Sequence, residues 1–92
     1  MDKYDILRSL PSLPLFKARE FAIAILREIP VPPMTNSSES AMQKRARVNK
    51  LVRDIENANS PFSIGQTMWN LDQAKAGLNV ANSAWDKHYK SI

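Results

Sequence analysis

The stretch PLFKAREFAIAILREI, residues 14–29, decides the fold class. Leu15, Ala18, Ala22, Ile25 and Ile29 recur at alternating steps of three and four, the spacing of one helix face. Phe21, Ile23 and Leu26 widen that face until little polar surface is left. A helix apolar on nearly all sides has to be surrounded, so residues 14–29 read as the central helix of a bundle. Pro14 suits its first turn, where a backbone N–H would have no partner anyway.

Prolines mark off the rest of the chain. Towards the N-terminus, residues 2–10 predict a short helix with Asp2 as N-cap and Tyr4, Ile6, Leu7 and Leu10 as its apolar members. Pro11 and Pro14 end it, because proline lacks the N–H and restricts the residue before it. Towards the C-terminus, Pro30-Val31-Pro32-Pro33 predicts an extended linker over residues 30–36. Asn36 and Glu39 then have the spacing of a capping box, predicting a helix over residues 37–58. Its apolar stripe is Ala41, Val48, Leu51, Val52 and Ile55. Lys50 with Asp54 and Arg53 with Glu56 have the spacing of ion pairs within that helix.

Asn57-Ala58-Asn59-Ser60-Pro61 reads as a stop, and Ser63 with Gln66 as a second capping box. A last helix over residues 64–90 is predicted from Ile64, Leu71, Leu78, Trp85 and Ile92, which repeat every seven residues. Met68, Ala74, Ala81 and Tyr89 fill the seam between them. Gly77 falls within this segment and marks either a close approach or a bend. The expectation is one all-α domain over residues 1–92: a small bundle of three main helices with a short additional N-terminal helix, neighbouring helices antiparallel across short connections.

Composition agrees. Ninety-two residues, 43% apolar and 24% charged, suit one modest core and are too balanced for disorder. Two glycines are too few for a fold rich in tight turns. With no cysteine, disulfides and thiolate metal sites are excluded. Met1-Asp2-Lys3-Tyr4-Asp5 lacks the build of a signal peptide, and the longest apolar run, Phe21 to Leu26, is too short to span a bilayer. A cytoplasmic location is therefore expected, with no membrane partner. Small single-core chains are common among the accessory proteins of viruses and mobile elements, and such an origin is the expectation.

Two features point to binding. On a continuous 64–90 helix, Trp69 lies about 140° from Ile64, with Ala76, Val80 and Ala84 near it on a second apolar strip. Either the N-terminal helix folds over this strip through Leu7 and Leu10, or the strip is an interface anchored by Trp69, for a protein partner or a second copy. The other feature is the basic run Lys44-Arg45-Ala46-Arg47 continued by Lys50 and Arg53, within a chain of formal charge +4. Arg45, Arg47, Lys50 and Arg53 could touch nucleic-acid phosphates, but they project in different directions with no aromatic residue between them, and a solvated helix face is the simpler explanation. Two R-x-x-P-x-x-P segments, at residues 8–14 and 27–33, have the form of SH3-type ligands, but helix ends stopped by proline account for both. Asn36-Ser37-Ser38 is a glycosylation sequon that carries no weight without secretion.

Catalytic equipment is sparse. His88 is the single histidine, no phosphate-cradling glycine loop occurs, and the carboxylates Glu20, Glu28, Asp54, Glu56, Asp72 and Asp86 are scattered. The expectation is a non-enzymatic protein-binding module with no cofactor, no metal and no small-molecule substrate. A nucleic-acid-binding module and a self-assembling subunit are the alternatives.

Overall fold

The computed structural model describes residues 1–73 and 80–92, and every regular element among them is helical. The first helix, α1 (Lys3–Ser9), starts where Asp2 accepts a hydrogen bond from the Asp5 N–H at 2.9 Å. Pro11 does not end the helical course as abruptly as expected, because a 3-10 turn carries it through Leu10–Ser12. Proline tolerates the first turn of such a segment, having no N–H to lose. The arginine-proline segment at residues 8–14 is thus mostly helical and does not form an extended ligand-like strand.

Helix α2 (Leu15–Arg27) is central, as its sequence demands: it packs against each of the three helices that follow. Ala18, Phe21, Ala22, Ile25 and Leu26 are buried on it. Transfer of the three large side chains, Phe21, Ile25 and Leu26, contributes roughly 5–9 kcal/mol before the entropy of ordering them. Ile29 is buried just beyond, and the linker follows with Val31, Pro33 and Met34 exposed.

Helix α3 (Glu39–Glu56) begins two residues later than expected. Ser38, not Asn36, is its N-cap, accepting from the Ala41 N–H, while the Asn36 side chain accepts from the Ser38 N–H and shapes the approach. Only Ala41, Val48 and Ile55 are fully buried, a strict seven-residue stripe, with Leu51 and Val52 half-buried beside it. The narrow stripe leaves a broad exposed face. The expected pairs Lys50–Asp54 and Arg53–Glu56 are not among the ion pairs formed by the described residues.

The predicted 64–90 helix is two helices, α4 (Pro61–Gln73) and α5 (Asn82–Lys90). Ser60 takes the capping role expected of Ser63, its hydroxyl accepting from the Ser63 N–H, and Pro61 occupies the first turn. Ala81 is extended, at φ −60° and ψ 145°, and exposed, so the seam assigned to it does not form. Ile64, Met68 and Leu71 on α4, and Trp85 with half-buried Tyr89 and Ile92 near α5, each supply a short seam of their own. Ala74, Gly77 and Leu78 lie outside the described residues, as does the question of a bend at Gly77.

Aromatic and polar contacts tie these elements together. Phe21 meets Trp85 at 5.8 Å between ring centroids and Tyr89 at 5.7 Å, the latter edge to face. Arg19 on α2 donates to the carbonyls of Ile55 (3.4 Å) and Ala58 (2.7 Å), satisfying the open end of α3. Gly65 on α4 lies beneath Pro11, so close that a Cβ there would sit 3.2 Å from the proline Cγ. No helix among the described residues is long and apolar enough to cross a membrane.

Candidate functional site

The outer surface of α4 is built from a short run with little charge. Among Pro61–Gln73 only Asp72 is ionisable, and it pairs with Lys3 of α1. That ion pair pins α1 beside α4, and Tyr4 then lies edge to face on Trp69 at 6.1 Å. Both rings remain partly open to solvent: Tyr4 is 45% exposed and Trp69 40%. Phe62, seven residues before Trp69 and about 20° away around the helix, is 67% exposed. Gln66, Asn70 and Gln73 edge this surface with amides, and Gln66 donates to Asn70. The result is an aromatic row, Tyr4, Trp69 and Phe62, edged by uncharged amides on α4 and, at Tyr4, by the Lys3 ammonium 5.7 Å from the ring centroid.

This row replaces the strip expected from the sequence. Of its four members only Trp69 lies on the exposed face of α4. Val80 precedes α5 and packs against the core, Ala84 is half-buried on α5, and Ala76 is outside the described residues. The strip required one continuous helix, and the extended Ala81 removes that premise. The N-terminal helix does approach Trp69, but through Tyr4, because Leu7 and Leu10 are buried in the core. Phe62 was legible as an i, i+7 partner of Trp69, whereas the Tyr4–Trp69 contact spans 65 positions and has no local signal.

The basic residues of α3 divide into two kinds. Arg45 is committed to structure: its Nη1 donates to the carbonyls of Pro33 (2.8 Å) and Asn36 (2.7 Å), fastening the proline linker onto α3. It leaves the set of candidate phosphate contacts for that reason. Arg47, Lys50 and Arg53 are exposed and form no ion pair or side-chain hydrogen bond among the described residues. An open depression of about 520 Å³ runs beside them, lined by Ala46, Asn49, Val52, Arg53 and Glu56.

Titratable groups elsewhere act in pairs across the fold. His88 Nε2 is 2.9 Å from Glu28 Oε1, joining α5 to the end of α2. The hydrogen bond to His88 holds the Glu28 carboxyl below its ordinary range. Lys90 does the same for Asp86, and Arg8 for Asp5. Among the described residues no three carboxylate or imidazole side chains stand close enough to share a metal ion.

Comparison with protein-family models, with curated proteins and with solved structures finds no match to this chain.

Proposed function

We propose that this protein is a non-enzymatic binding module that occupies a surface of another protein through Tyr4, Phe62 and Trp69. The observation that carries the reading is the partly exposed Tyr4–Trp69 pair, with Trp69 on α4, a helix whose single charge is already paired. Interface centres are enriched in aromatic side chains and depleted of charge, with polar groups at the rim. Tryptophan and tyrosine are also the side chains that most often dominate binding energy. A formal charge of +4 sets two copies of the chain against each other, so a different, less basic protein suits the face better than a second copy.

A photo-crosslinking residue placed at position 62, and separately at position 16, tests this in the producing cell. Phe16 and Phe62 are exposed to nearly the same degree, 62% and 67%, but Phe16 is on α2. The expected result is a discrete heterologous adduct from position 62, absent from position 16 and lost when Trp69→Ala is added without loss of helical circular dichroism. Adducts of equal yield from both positions, or none from either, refute the reading. An adduct of twice the chain mass replaces it with self-assembly.

A further inference from the structure

The middle of α3 is the longest basic run of this protein without an acidic side chain. Residues 44–53 hold five basic side chains and no acidic one; against a whole-chain charge of +4, the remainder of the molecule is close to neutral. Several cations elsewhere are engaged, Lys3 with Asp72, Arg8 with Asp5, Lys90 with Asp86, and Arg19 with backbone carbonyls, whereas Arg27 and Lys87 are exposed and enter no ion pair among the described residues. On α3, Arg45 is spent on the linker, and Arg47, Lys50 and Arg53 face solvent without partners among the described residues.

Their spacing makes a ridge. Each step of three residues rises about 4.5 Å and turns about 60° back around the helix, so the row slants across the exposed face. Lys44, half-buried, extends the row by one more step. From Arg47 to Arg53 the ridge rises about 9 Å, close to the axial rise of three phosphates on one strand of a duplex. Glu56 is the next step of the row after Arg53, so with Asp54 it bounds the ridge at the end of the helix.

We infer that the exposed face of α3 binds the phosphate backbone of double-stranded nucleic acid through Arg47, Lys50 and Arg53, without reading sequence. Three observations select this occupant. A membrane-surface helix needs an exposed apolar side, but the apolar stripe of α3, Ala41, Val48 and Ile55, is buried in the bundle. Single-stranded bases need aromatic platforms, and no aromatic residue occurs on α3. A protein interface needs a broad desolvated apolar centre, and beside the ridge only Met42 and half-buried Val52 are large and apolar, set among Gln43, Ala46 and Asn49. What remains is a row of exposed cations with the charge and reach to displace counterions from a polyphosphate.

Fluorescence anisotropy with labelled 20-base-pair DNA and RNA duplexes tests the inference on the intact protein. Three phosphate contacts predict that affinity falls about 40-fold between 50 and 200 mM salt, a log–log slope of about −2.7. Arg47→Ala/Lys50→Ala/Arg53→Ala, all at exposed positions, should keep the helical signal and abolish that binding. Arg47→Lys/Lys50→Arg/Arg53→Lys should retain it. Trp69→Ala should also bind duplex normally, so a failed aromatic face does not disturb this result. The inference is overturned by absence of duplex binding at 50 mM salt, or by duplex binding unchanged in the alanine variant. Equal or tighter binding to polyglutamate, or to vesicles rich in phosphatidylserine, likewise overturns it.

Discussion

Phe16 and Phe21 lie on the same helix, five residues apart, and differ in one respect: Phe16 is 62% exposed and Phe21 is 1% exposed. Replacing each in turn with alanine keeps the chemistry and the change in helix propensity constant and isolates burial. Phe21→Ala removes a side chain packed between Trp85 and Tyr89 and leaves a cavity at the junction of α2 and α5. Such truncations cost about 3–5 kcal/mol, and the loss of two aromatic pairs places this one in the upper part of the range. Phe16 has little more than a third of its surface covered, so its burial is worth about 0.6–1 kcal/mol. The higher propensity of alanine returns up to about 0.5 kcal/mol of that. The two variants should therefore differ by about 3–4 kcal/mol, or roughly 12–30 °C in midpoint for a domain of this size. The total stability of a 92-residue chain is about 5–14 kcal/mol, so Phe21→Ala brings the protein close to unfolding. Thermal and urea transitions followed at 222 nm measure both. Midpoints that agree within 1 kcal/mol, or a larger loss at Phe16, would refute the packing described for α2.

Stability should fall as pH drops below about 4, because Asp5, Glu28 and Asp86 are each held below ordinary carboxylate values in the folded state. A depressed folded pKa contributes stability that is complete above the unfolded value and lost on acidification through the folded one. The Asp5→Asn/Glu28→Gln/Asp86→Asn variant should show a shallower acid limb in melting temperature, and an unchanged limb would refute the pairing. Arg19→Met should cost about 1–2 kcal/mol, the lower part of the range for bonds from a charged donor because the group is partly exposed. Urea unfolding measures it, and no loss would mean that the end of α3 needs no cap. Gly65→Ala, which gains about 1 kcal/mol in an open helix, should gain nothing here because its Cβ meets Pro11. Adding Pro11→Ala should release that gain, and a double-mutant cycle with no coupling would contradict the contact.

The first half of the fold was legible because its signals are local. Asp2 caps α1, Pro14 opens α2, and the apolar steps of α2 allow no other placement than the centre. The last third misled for a physical reason. Ile64, Met68 and Leu71 have the spacing i, i+4, i+7, and so do Trp85, Tyr89 and Ile92, twenty-one residues later. Twenty-one is three heptads, so two short seams in the same phase look like one long seam. Asn79, Asn82 and Ser83, residues whose side chains compete with helix for the backbone, were the signal against continuity. At the site, Trp69 was legible as an outlier from the seam, but its partner Tyr4 was counted among the apolar members of α1. Arg45 read as one more surface cation, because its partners are carbonyls of an irregular linker nine to thirteen positions earlier. Backbone acceptors of that kind leave no trace in residue type.

The position of α1 bears on the order of folding. Its fastenings are Tyr4 to Trp69, Lys3 to Asp72, and the Ser9 hydroxyl to the Tyr89 hydroxyl at 2.8 Å. Each joins the start of the chain to residues made more than sixty positions later. At about 5–20 residues per second of synthesis, roughly 4–16 s separate the emergence of Ser9 from that of Tyr89. Until α4 has been made, Ile6, Leu7 and Leu10 lack one of the helices that bury them, and they wait longer still for α5. Helix α1 is made before the two elements that fasten it, and it is locked only once they exist.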